Sequence, residues 1–137
     1  MPALIEHIDA IARREHRDVL YLDFHADAQG VRFPVDWHRN PSRSQVISWL
    51  DERGIGWQEC GEFADEGRMA PYVGSIYLDV PMEENDPLFL EVSAYLENPD
   101  GSMRMPHVVF WAISLERALR NAHHDEPGFW ERWAENL

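Results

Sequence analysis

Apolar positions along the chain fall into runs of two different periods. Over residues 3–16, Leu4, Ile5, Ile8 and Ile11 recur at helical spacing while Glu6, Asp9, Arg13 and Arg14 take the other side, which predicts an amphipathic helix. The run VLYLDF at 19–24 is rich in strand formers. Ala28, Gln29 and Gly30 offer a turn into VRFPVDW, so a hairpin is expected, with Pro34 at an edge or a break because it lacks an amide hydrogen. Asn40-Pro41-Ser42 followed by Gln45 is a helix start with Asn40 or Ser42 as cap. Val46, Trp49, Leu50 and Arg53 then share a face, which puts Trp49 and Leu50 in the core, and Gly54 stops the helix. Residues 55–63 form a weaker strand, interrupted by glycines at 56 and 61.

Period two returns at Tyr72, Gly74, Ile76, Leu78 and Val80, and again at Leu88, Leu90, Val92, Ala94 and Leu96. Leu88, Val92, Tyr95 and Leu96 also suit a helix. The turn Asn98-Pro99-Asp100-Gly101 lies between this run and the apolar run 105–113, however, and favours a hairpin. Residues 72–113 are therefore expected to form an antiparallel meander. Ser114 caps a helix that turns Leu115, Ala118, Leu119 and Ala122 inward, and a last short helix carries Phe129, Trp130, Trp133 and Leu137. Short connections between strands argue for antiparallel pairing. The expected fold is one α+β domain over residues 1–137, with a mostly antiparallel sheet of about five to six strands and helices packed against it. The helix over 42–53 is the one crossover able to make that sheet mixed.

Composition narrows the function classes. With 137 residues and six Trp, six Phe and four Tyr, the chain can bury a core without staples, and the single cysteine, Cys60, makes no internal bridge. No apolar stretch is long enough for a membrane span and the N-terminal residues do not read as a signal peptide, so a cytoplasmic protein without membrane attachment is expected. Acids outnumber bases 25 to 12, and every base among the Lys and Arg is an arginine. Residues 51–100 alone hold thirteen acids and two arginines, which is −11 of the net −13. Such a field repels nucleic acid and attracts a basic partner.

Candidate chemistry is sparse. Asp23, His25 and Asp27 alternate at a strand end, so their side chains share one face, and His38 lies near the end of the paired strand. This set could hold a divalent metal or let a carboxylate orient His25 as a general base. Ser42 and Ser44 sit in no nucleophile elbow and read as helix caps. His123, His124 and Asp125 end a helix, where imidazolium complements the dipole. Cys60 is flanked by Glu59 and Glu62, whose charges disfavour the thiolate. The glycines match no phosphate-cradling loop. The leading expectation is a small acidic, non-enzymatic binding module of the inhibitor, immunity or regulatory kind, without a cofactor. It would recognise a basic protein partner through Glu62, Asp65, Glu66, Glu83, Glu84 and Asp86, with homo-oligomerisation left open. The alternative is a small metal-assisted hydrolase centred on Asp23, His25 and Asp27.

Overall fold

The strand-forming run at 19–24 becomes the middle of a sheet. In the computed structural model, which describes residues 5–26, 29, 37–67 and 72–135, strand β1 (Val19–Asp23) is flanked by two antiparallel neighbours. The strands β2 (Trp57–Glu59), β3 (Ile76–Leu78) and β4 (Val109–Ile113) complete the order β2-β3-β1-β4, with every pair antiparallel. Tyr21 faces Tyr77 on one side and Trp111 on the other. Among the described residues the sheet thus has four strands, fewer than the five to six expected, and no parallel pair between named strands.

Alternation along β1 sorts its side chains between two layers of helix. Leu20, Leu22 and Phe24 join Ile76, Leu78 and Val80 beneath helices α2 (Pro41–Glu52) and α3 (Pro87–Leu96), which contribute Val46, Leu50, Val92 and Leu96. Val19 and Tyr77 face the other way, onto Ile8, Ile11 and Ala12 of α1 (Ile8–Glu15) and Ala118 of α4 (Leu115–Ala118). Both faces of the central strands are therefore covered, which is why β3 is buried at all three positions.

The expected meander does not form, because residues 88–96 are helical. Asp86 caps α3: its Oδ1 accepts from the Leu88 amide at 2.9 Å and the Phe89 amide at 3.1 Å, and Pro87 occupies the first helical position. Positions 88, 92 and 96 satisfy both an alternating and an i, i+4 pattern, so periodicity alone could not separate the two. Leu90, at 52% exposure, and the exposed Ala94 show that the alternating face is not the buried one. The turn at 98–101 exists, with Gly101 at φ +85°, but it follows a helix, and β4 pairs with β1.

Other expectations shift by smaller amounts. Helix α1 starts at Ile8, and the Leu4 position, the predicted strand at 31–35 and Leu137 lie outside the described residues. Asn40 is the cap of α2: its Oδ1 accepts from the Ser42 amide, while its Nδ2 donates to the carbonyls of Phe24 and His107, at 2.9, 2.9 and 3.0 Å respectively. Leu50 is in the core as expected, but Trp49 is only half-buried, stacked on Tyr95 at 4.0 Å with the Arg53 guanidinium 4.4 Å from its ring. Ser114 does cap α4, but the helix tightens into the 3-10 segment Leu119–Asp125, where Asn121 leaves helical geometry, so Leu119 and Ala122 are exposed instead of inward. A final helix, α5 (Phe129–Glu135), follows. Among the described residues no helix is long and apolar enough to cross a membrane.

Candidate functional site

The face of the sheet under α1 carries a buried carboxyl at its end. Asp23 is the last residue of β1 and, by alternation, points to the same side as Val19 and Tyr21. It is only 8% exposed and accepts a hydrogen bond from the hydroxyl of Ser75, itself fully buried. Two residues later, His25 is brought to the same place. The third member is Glu62, which the sequence reading had placed in a partner-binding surface. The β2–β3 ladder continues past β2 through the Cys60 amide, which donates to the Ser75 carbonyl at 3.1 Å. That bond draws the segment after β2 alongside Asp23.

One ligand atom each from Asp23, His25 and Glu62 lies within 4.8 Å of the other two. His25 Nε2 stands 3.5 Å from Glu62 Oε1, and His25 Nδ1 is buried without a hydrogen-bond partner among the described residues. Burial pushes the Asp23 carboxyl above the ordinary carboxylate range and the charge of Glu62 adds to the shift, while the Ser75 hydroxyl and His25 partly offset it. The same surroundings silence the neighbouring nucleophiles. Burial, then Asp23 and Glu62, push the Cys60 thiol far up, and burial with Asp23 does the same to the Tyr21 phenol. Cys60 is a core residue.

The sequence-predicted set is thus half assembled. Asp23 and His25 come together, and Asp27 lies outside the described residues. His38 is exposed, stacked on Trp37 at 3.6 Å, and belongs to neither donor cluster found among the described residues. The second of those clusters joins Glu66 to His123 and His124. The two histidines are bound to that carboxylate, and Asp125 instead accepts from Arg13 at 2.7 and 2.9 Å.

The acids expected to form one partner surface divide between the two sides of the sheet. Glu62, Asp65 and Glu66 follow β2 beside α1, where the Ala64 amide donates to Asp9 at 3.0 Å. Glu83, Glu84 and Asp86 lead into α3, which packs on the other face. Glu83 and Glu84 are exposed, whereas Asp86 is engaged as the α3 cap and Asp65 accepts from the Gly67 amide at 2.7 Å. No protein-family model, curated protein or solved structure matches the chain.

Proposed function

We propose that the protein is a small metal-dependent enzyme whose centre is Asp23, His25 and Glu62, with hydrolysis as its chemistry. The observation that carries this reading is the spacing of the donors. At 3.5 Å, His25 Nε2 and Glu62 Oε1 are too far apart for a sound hydrogen bond. Two ligands each about 2.0–2.1 Å from a tetrahedral ion stand about 3.3 Å apart, close to that separation. Two carboxylates forced together in a shielded place also favour a divalent cation, which replaces their mutual repulsion with attraction. One imidazole with two carboxylates suits Zn²⁺ or Mn²⁺.

An ion held there supplies an acidified water as nucleophile. The chain's own residues do the rest. Ser75 orients Asp23 through its hydroxyl, and the tight β1–β3 pairing holds both at a fixed distance. Metal competes with the proton that burial favours on Asp23, so affinity should rise with pH. The test is calorimetric titration of Zn²⁺ and Mn²⁺ into the metal-free protein, followed by assay against p-nitrophenyl ester and phosphoester substrates. Binding weakened at least ~tenfold by Asp23→Asn and by His25→Ala, with metal-dependent turnover lost in the same variants, supports the reading. Binding and turnover unaffected by both substitutions would discard it.

A second reading rests on Glu83 and Glu84, exposed in a short turn ahead of α3. As a non-enzymatic module the protein would use them to steer a basic partner, with an association rate that falls as salt screens the charges. Reversal of these two residues to Lys tests it. Asp86 is left intact because its loss would uncap α3.

A further inference from the structure

The last quarter of the chain meets the loop that bears Glu66 in a second convergence of ligands. His123 Nε2 lies 2.5 Å and His124 Nε2 lies 2.7 Å from the same oxygen, Glu66 Oε1. Side chains of consecutive residues in a 3-10 turn splay by about 120°. Here the two rings nevertheless close to 4.4 Å and aim both nitrogens at one point. The carboxylate is delivered to that point by buried chemistry. Asp9, fully buried, accepts from the Ala64 amide, from Asn121 Nδ2 and from Arg13, and Asn121 also donates to the Ala64 carbonyl at 3.1 Å. This network pins the loop bearing Glu66 to the 3-10 segment bearing the histidines. Trp133 of α5 fixes the same loop from outside, donating from Nε1 to the Glu66 carbonyl at 2.9 Å.

We propose that Glu66, His123 and His124 form a site for a borderline divalent ion, Zn²⁺ above all. It is separate from the Asp23 cluster, and its occupancy clamps the C-terminal aromatic helix to the body. Two imidazoles and one carboxylate are a donor set that zinc uses widely. The His124 side chain is 2% exposed and anchors the site, while His123 and Glu66 are about half exposed and leave the fourth position to water. Tetrahedral coordination asks the three atoms to stand about 3.3 Å apart, so the carboxylate has to withdraw by less than about 1 Å, which its exposed stem permits. The clamp follows from connectivity. Phe129 and Trp130 of α5 pack on the His124 ring at 4.7 Å each, so fixing His124 fixes the surface on which α5 lies.

The experiment uses the full chain carrying Asp23→Asn and His25→Ala, which removes the first cluster's ligands and leaves this one whole. Titration with Zn²⁺ alone, followed by calorimetry and native mass spectrometry, should give one bound ion. Adding His123→Ala or Glu66→Gln, both at exposed positions, should weaken that binding at least ~tenfold while circular dichroism stays that of the parent. Zn²⁺ should also slow amide exchange in α5 of the parent, and not of the His123→Ala protein. Absence of saturable Zn²⁺ binding in the double variant would reduce this cluster to a carboxylate shared by two histidines and overturn the proposal. So would one bound ion indifferent to both added substitutions. Neither result depends on whether the Asp23 cluster binds metal, which the titration of the wild-type chain reports.

Discussion

The two faces of the sheet are built from different chemistry. Beneath α2 and α3 the core is hydrocarbon: Leu20, Leu22, Phe24, Ile76, Leu78, Val92 and Leu96 meet one another, and the buried polar groups Asn40 and Ser42 serve the start of α2 at its margin. Beneath α1 and α4 the apolar layer is thinner, and Asp9, Asp23, Ser75 and His124 are buried around it. Buried titratable groups are costly unless paired, so this face has to satisfy them with one another: Asp9 with Arg13, Asn121 and the Ala64 amide, Asp23 with Ser75, and His124 with Glu66. Both donor clusters belong to the second layer.

That contrast can be broken in order of expected effect. Asp9→Ala should be the most damaging, at about 3–5 kcal/mol, because it orphans the buried Ala64 amide, strips a hydrogen bond from Asn121 and takes one of the two carboxylates from the nearly buried Arg13 guanidinium, leaving it only Asp125. The Asp9 carboxyl is buried yet held below the usual range by the Ala64 amide, Asn121 and Arg13, as expected of a fully used structural acid. Urea unfolding measures the loss, and a cost under about 1 kcal/mol would remove Asp9 from the structural network. Next, Leu50→Ala on the hydrocarbon face should cost about 2–4 kcal/mol, the range for losing a buried leucine. Its effect on Zn²⁺ or Mn²⁺ affinity should be negligible, and a large change in affinity would show that the two layers are coupled.

The smallest effect has the opposite sign. Asp23→Asn keeps an oxygen for the Ser75 hydroxyl and removes a buried charge, so the metal-free variant should be more stable than the parent by on the order of 1 kcal/mol at neutral pH. The folded carboxyl titrates above its ordinary 3.8, so the folded state holds the proton more tightly than the unfolded chain does. The advantage of the variant is therefore complete above the folded value. It shrinks as the pH falls through that value and is gone below 3.8. Chemical denaturation between pH 3 and pH 8 reads this directly. A destabilised variant would make Asp23 a second structural acid like Asp9 and erase the difference between them.

Much of this architecture was legible in the residues. The alternation from Val19 to Asp23, the Asn40-Pro41 start of α2 and the Ser114 cap of α4 are local signals, and each appears where the sequence places it. Asp23 and His25 were legible as a pair because residues two apart at a strand end share a face. The misreading of 88–96 has an equally local remedy. Asp86-Pro87 is a helix start of the same kind as Asn40-Pro41, and it outweighs an alternation that positions 88, 92 and 96 satisfy by coincidence.

Sequence by itself determined the helix caps, the central strand, the acidic balance and the Asp23–His25 pair, because each depends on neighbours within a few positions. Only the tertiary structure decided that Glu62 completes that pair, that Glu66 meets His123 and His124 across 57 and 58 residues, and that the acids divide between two sides of the sheet. These depend on the order β2-β3-β1-β4 and on the Asp9 network that ties residue 64 to residue 121. Contacts of that range follow from which strands pair and which loops close, and no periodicity within a single segment encodes either.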